Sequence, residues 1–308
     1  MRTRKLGAGG PDVSVVGLGC NNFGSRVDER GTRAVVDAAL DAGVTLFDTA
    51  DVYGNRGGSE ELLGKALEGR RDRVVLATKF GHEMSDDAPP NRGSREYVRT
   101  AIEASLERLR TDVVDLYQYH RPDGVTPIEE TLGAMGELVD EGKVRFIGSS
   151  NFDAAQIAEA DKLARGRSWR RFVSAQNEYS LLERGVEDEL LPVCERLGIG
   201  VLPYFPLASG LLTGKYRRGE PAPAGTRLAM RPERLTDEVF DKLEGLEAFA
   251  KERGHTLLEL AFGGLLAQPA VSSVIAGATK PEQVRANAAA GEWELDAQDA
   301  QALRARLA

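Results

Sequence analysis

Short apolar runs alternate with amphipathic stretches along almost the whole chain. Val13–Leu18, Val44–Phe47, Val74–Ala77, Val113–Tyr119, Val144–Gly148, Val173–Gln176, Gly200–Tyr204 and Val271–Ile275 read as buried strands. Between them, Arg30–Ala42, Glu60–Leu67, Ser94–Leu109, Ile128–Asp140, Asp153–Ala164 and Val186–Leu197 repeat apolar residues at helical period. Asp237–Arg253, Thr256–Leu266, Pro281–Ala289 and Ala297–Leu307 complete the helices. Ser59 and Ser94 are placed to cap helix starts, and Gly43, Gly142 and Gly198 to close helix ends. At the N-terminus, Thr3–Gly10 and Val13–Val16 flank the turn-rich stretch GAGGPD and predict a hairpin.

Strands that return through helices must run parallel. Eight such units without a break in composition predict a closed (β/α)8 TIM barrel preceded by a short β-hairpin, with 1–308 as a single domain. Ala208–Leu235 is too long and too rich in Gly, Pro and Arg for an ordinary connection, and is expected to be a functional flap.

Composition narrows the partners. At 42% hydrophobic, 308 residues can bury a large core. A net charge of −8, spread in both signs, argues against nucleic acid and acidic membranes as partners. Two distant cysteines, Cys20 and Cys194, make no disulfide framework. With no secretory leader or spanning run, the expectation is a soluble cytoplasmic protein, a monomer or weak homo-oligomer. The three histidines, His82, His120 and His255, lack ligand spacing, so no metal is expected.

Three consecutive strands end in chemistry. Val44–Phe47 runs into Asp48, with Tyr53 on the loop beyond; Val74–Ala77 runs into Lys79; Val113–Tyr119 runs into His120. Strand ends share one mouth in such a barrel, so the four side chains are expected to meet. A buried Lys79 needs a partner, which Asp48 supplies. The Lys79 charge is expected to lower the Tyr53 pKa and make it a better proton donor, with His120 beside it on a substrate oxygen. Protonating an oxygen while another agent attacks its carbon suits a nicotinamide cofactor. Yet no Rossmann fingerprint follows Gly17-Leu-Gly19, and the P-loop-like stretch from Gly210 to Lys215 is one residue short.

Nearly the whole chain resembles the aldo-keto reductase family. FDTADVYG carries the family's Asp and Tyr, ATKFG its Lys and DLYQYHRPD its His, at Asp48, Tyr53, Lys79 and His120. The resemblance implies an NADP-dependent oxidoreductase that reduces aldehydes or ketones to alcohols with Tyr53 as general acid. NADPH/NADP+ is the implied cofactor, with NADH not excluded, and a small carbonyl compound the implied substrate. Ser150 and Asn151 in SSN, and Gln176 in SAQNEYS, fall where the family holds the nicotinamide carboxamide. Tyr204 falls where an aromatic stacks on the ring. Leu207, Ser209, Gly210 and Leu211 fall where a loop covers the pyrophosphate, and Asn287 where the adenine is contacted. Gly19, Cys20, Asn21, Phe205, Pro206, Lys215 and Thr279 are expected to share that surface with Asp48. Gly277 and Gln283 stand where better-known members carry Lys and Arg for the 2′-phosphate, with Lys280 or Arg285 as substitutes.

Two other functions stay open: a cofactor-sensing subunit attached to a larger partner such as a channel, and a sugar or polyol dehydrogenase working oxidatively. Substrate choice is assigned to Asn21–Val27, His82–Arg92 and Ala208–Leu235. His82 and His255 read as structural, Trp169 and Trp293 as packing residues, and most arginines from Arg217 to Arg234 as solvated.

Overall fold

The computed structural model describes residues 1–307, and in it eight parallel strands curl into a barrel with helices between them. The antiparallel hairpin β1 (Thr3–Lys5) and β2 (Asp12–Ser14) comes first, with Arg4 opposite Val13. The barrel then runs β3 (Val16–Gly19), α1 (Glu29–Asp41), β4 (Leu46–Asp48), α2 (Tyr53–Ala66), β5 (Val75–Phe80), α3 (Arg95–Leu109), β6 (Val114–Tyr119) and α4 (Ile128–Asp140). It continues through β7 (Val144–Ser150), α5 (Ala154–Arg167), β8 (Phe172–Gln176), α6 (Leu190–Leu197) and β9 (Gly200–Val201). After the long segment come α7 (Asp237–Glu252), α8 (Leu257–Leu266), β10 (Val274–Gly277), α9 (Pro281–Ala290) and α10 (Ala297–Leu307).

Ladder neighbours follow chain order from β3 to β9, and β10 pairs with β3. The remaining gap, between β9 and β10, is closed by three backbone hydrogen bonds rather than a ladder: Val201 N to Ala270 O, Ser272 N to Val201 O and Ile275 N to Pro203 O. Strand sides alternate, which divides the interior into layers. The lower layer is apolar: Leu46, Ala77, Leu116, Leu202 and Ile275 meet Leu6 and Val13 of the hairpin, which plugs that end. Two residues further along their strands the same inward face becomes Asp48, Lys79 and Gln118, all buried. A larger apolar shell between strands and helices carries the rest of the core.

Several expected boundaries moved, each for a local reason. The run Val13–Leu18 is split because Val13 belongs to the hairpin, and the Ser14 hydroxyl bonds to Val16 O before β3 begins. The strand expected over Gly200–Tyr204 is two residues long, since Pro203 has no N–H for a ladder. The last barrel strand lies at Val274–Gly277 rather than Val271–Ile275. Ser59 does not cap a helix. It is buried inside α2 and its hydroxyl bonds to Cys20 O and Thr49 Oγ1. The chain enters α2 through four consecutive residues at positive φ, Gly54 to Gly57. A Cβ at Gly54 would meet Phe23 O and Ser59 N at 2.5 Å, so only glycine fits there. This left-handed turn reverses the chain immediately after Tyr53 and fixes where its ring begins.

Candidate active site

Backbone hydrogen bonds continue past the strand ends and hold the mouth in place. Thr49 N bonds to Ala77 O, Asp51 N to Lys79 O, His120 N to Phe80 O and Asn151 N to Gln176 O. The residues expected at the exits of β4, β5 and β6 therefore converge. Lys79 Nζ lies 2.6 Å from Asp48 Oδ2, 2.8 Å from Thr49 O and 3.5 Å from Tyr53 Oη. The other Asp48 oxygen accepts from Gln118 Nε2 at 3.0 Å and Gln176 Nε2 at 2.9 Å. The His120 ring meets that of Tyr53 edge-on at 5.7 Å, and its Nδ1 is buried without a partner among the described residues.

Burial sets the protonation states. It works against the Lys79 ammonium, but Asp48 and Tyr53 together outweigh it and raise the Lys79 pKa. His120 is held well below the usual histidine range, first by burial and then by Lys79, so it is neutral at physiological pH. For Tyr53 the expectation fails. Its pKa is raised, because burial of the hydroxyl and the nearby Asp48 charge outweigh the lowering effect of Lys79. Lys79 limits the rise without reversing it.

One cavity of about 410 Å³ opens above this cluster. Its wall includes Tyr53, His120 and every expected cofactor residue except Leu211, which is buried in the core. Asn151 and Tyr204 are joined by a hydrogen bond from the phenol to Asn151 Oδ1 at 2.8 Å, and Asn151 Nδ2 bonds to His120 O. Gln283 uses its Oε1 to accept from Thr279 N and Oγ1. Lys280 and Arg285 are exposed and do not line the cavity. Instead Arg26, Lys215 and Arg227 do, with Arg227 over the Phe205 ring and 3.4 Å from Asn22 Oδ1. A Cβ at Gly277 would crowd Asn22 and Asn21 at 3.1 and 3.2 Å, so the bare backbone there keeps the wall open.

Asn22, Arg26, His82 and Arg227, all within the loops expected to govern substrate choice, line the wall, and so does Arg121, which lies outside those loops. His82 was set aside as structural, yet it packs edge-on against His120 at 4.3 Å and faces the cavity. His255, by contrast, stacks on Trp293 at 3.8 Å, well within a packing role. Arg217 and Arg218 pair with carboxylates of α7 at the surface. No group of three or more His, Cys, Asp or Glu that could hold a metal ion occurs among the described residues.

Two residues before Tyr53 lies a further carboxyl, Asp51, that no motif singles out. Asp51 is buried, neither oxygen has a side-chain partner among the described residues, and burial followed by the Glu60 charge pushes its pKa up to about 8 against the lowering effect of the Val52 N–H. Glu60 itself is held by Arg108 and Thr78. Asp51 thus binds a proton in the folded protein between about pH 4 and 8 that the unfolded chain has released, and stability falls as pH rises through that window. Asp51→Asn removes this penalty. It is expected to raise stability at pH 8 by on the order of 1–3 kcal/mol, with little change at pH 4, as read from urea unfolding at both pH values. An equal effect at both would mean that the carboxyl does not titrate in this way.

The sequence model of the aldo/keto reductase family matches residues 15–307. The chain is 41% identical over 301 residues to the uncharacterized oxidoreductase YrpG of Bacillus subtilis (strain 168), covering 94% of this chain and 91% of that protein. It is 38% identical over 299 residues to a probable voltage-gated potassium channel subunit beta of Oryza sativa subsp. japonica, covering 93% and 90%. A probable aldo-keto reductase 1 of Glycine max is 37% identical over 307 residues, covering 96% and 86%. No helix among the described residues is long and apolar enough to cross a membrane.

Proposed function

The chain belongs to the aldo/keto reductase family, and we propose on that premise that it is an NADPH-dependent reductase converting aldehydes or ketones to alcohols. The observation that carries this reading is the buried relay Asp48–Lys79–Tyr53 ending beneath His120 at the floor of one cavity. A bound reduced nicotinamide would supply the hydride, which no side chain of this protein can. Tyr53 Oη gives a proton to the carbonyl oxygen. Lys79 stabilises the phenolate left behind, and Asp48 keeps Lys79 charged and in place. Neutral His120, whose ring lines the cavity beside Tyr53, would orient the same oxygen without bringing charge. In the reverse direction Tyr53 would act as the base.

The wall fits a dinucleotide. Ser150, Asn151 and Gln176 place amide and hydroxyl groups beside the catalytic cluster, and the Tyr204 ring is anchored by its hydroxyl. Farther along, Arg26, Lys215 and Arg227 supply positive charge for phosphates. The first turn of α9 has no side-chain cap, so its N–H groups also favour an anion near Thr279 and Gln283. We assign NADPH rather than NADH to this arm because three cations line it. Residues 1–308 are read as one catalytic unit in the cytoplasm.

Fluorescence titration with NADPH and NADH, then turnover with aldehydes, ketones and sugars, tests both parts. NADPH should bind at least about tenfold more tightly, and Arg227→Ala should narrow that margin. Equal affinities would remove the NADPH assignment alone. Tight binding without turnover of any carbonyl or alcohol would favour the reading as a cofactor-sensing subunit of a larger partner; the Oryza relative is named as a probable channel subunit.

A further inference from the structure

Asp48 is the one carboxylate lining the catalytic cavity among the described residues, and Lys79 neutralises it. Four cations share that wall. Arg26 reaches Gly225 O, Lys215 sits over the Tyr216 ring and Arg227 over Phe205, all on the arm assigned above to phosphates. Arg121 is different. It follows His120 directly at the exit of β6, is exposed, and has no side-chain hydrogen bond or ion pair among the described residues.

The turn that carries Arg121 is firmly built. Asp123 accepts from Gly93 N, Val125 N, Thr126 N and Thr126 Oγ1, and its own N–H bonds to Tyr119 Oη. Those donors hold the Asp123 carboxyl below the usual carboxylate range despite partial burial. The guanidinium is therefore presented from a fixed backbone, beside neutral His120 and His82. On its far side Arg121 also borders an open groove that includes Asp153, Glu178, Glu183, Asp188 and Glu189, none within ion-pair distance of it. Those acids disfavour an anion in the groove, which leaves the cavity side of Arg121 as the favourable place for one.

We infer that the carbonyl substrate carries an anionic group, a carboxylate or a phosphate ester, a few atoms from the reacting carbon, and that Arg121 selects it. This rests on the reductase reading of the cavity. It makes Arg121 a specificity residue: it binds the substrate's charge and takes no part in proton or hydride transfer. A guanidinium pairs such groups bidentately, and the pairing strengthens where the cavity excludes water.

The test compares matched pairs with NADPH at low ionic strength: butanal with succinic semialdehyde, and glyceraldehyde with glyceraldehyde 3-phosphate. The charged member of one pair is expected to have a kcat/KM about 10- to 100-fold higher, mainly through KM. The pair that shows this tells carboxylate from phosphate. Arg121→Gln should collapse the ratio, Arg121→Lys should restore part of it, and added salt should shrink it. A ratio near one in the wild type, or one unchanged by Arg121→Gln, would overturn the inference while leaving the reductase intact. Succinate binding, followed by intrinsic fluorescence, reads the same contact without turnover, and loss of Arg121 should weaken it about tenfold or more. Succinate binding that ignores the substitution would also refute the role of Arg121. Failure to reduce all four aldehydes would instead strike at the proposed activity, and the inference would go with it.

Discussion

Tyr53→Phe is expected to lower kcat for aldehyde reduction by about 10²–10⁴-fold, with NADPH affinity nearly unchanged. The substitution removes one oxygen, 3.5 Å from Lys79 Nζ, and leaves the ring in its place against His120. Burial keeps the phenol protonated well above neutral pH, so the acid is present across the physiological range. The sign of the pH effect follows. Tyr53 loses its proton only as pH climbs through its raised pKa, so reduction should show no tyrosine-linked fall below about pH 10. Oxidation needs the phenolate and should rise with pH over the same span. Pre-steady-state and steady-state rates across pH check both directions. A Phe variant that turns over normally would remove Tyr53 as the acid.

The second large effect is on the fold as well as the chemistry. Lys79→Met leaves Asp48 charged, 2% exposed and without its cation. Breaking a buried pair in this way costs about 3–5 kcal/mol. Gln118 and Gln176 still donate to Asp48, which places the expected loss toward the lower end of that range. The double variant Asp48→Asn, Lys79→Met removes the orphaned charge and should regain much of the stability while remaining inactive. Urea midpoints for the wild type, both single variants and the double variant give the coupling directly. Near-additive losses would mean that the pair is not energetically linked in the folded protein.

The catalytic strand ends were legible because Asp48, Lys79 and His120 each follow a mainly apolar run. Asp48 and Lys79 occupy the inward positions two residues past Leu46 and Ala77, and His120 the position four past Leu116, so period-two alternation already contained their convergence. Depth was not legible in the same way. Lys79 and Tyr53 are adjacent as expected, but how far the hydroxyl lies from water decided the sign of its pKa shift, and spacing carries no information on that. Ser59 misled because a serine before Glu60 and a leucine pair has the pattern of a cap, while its hydroxyl is used across the barrel by Cys20 and Thr49. Which residues of the expected substrate loops face the wall was the other gap. Arg26, His82, Arg121 and Arg227 reach the cavity through irregular backbone, and no periodicity describes that. Only the HRPD step offered a signal for Arg121, since a residue next to a barrel-end histidine starts its path at the mouth.

The seam between β9 and β10, closed by three backbone hydrogen bonds instead of a ladder, divides the barrel's labour. Asp48 and Lys79 stand on β4 and β5, and His120 just past the end of β6, in the middle of the unbroken ladder, where each strand is paired on both sides. The arm beyond Tyr204, from Ser209 to Arg227, and the opposite arm, from Gly277 to Asn287, spring from the two banks of the gap. The long arms of the wall thus flank the one seam that lacks a ladder, while the ionisable cluster sits where every strand is paired on both sides. Precision and access are thereby assigned to different sides of one cylinder.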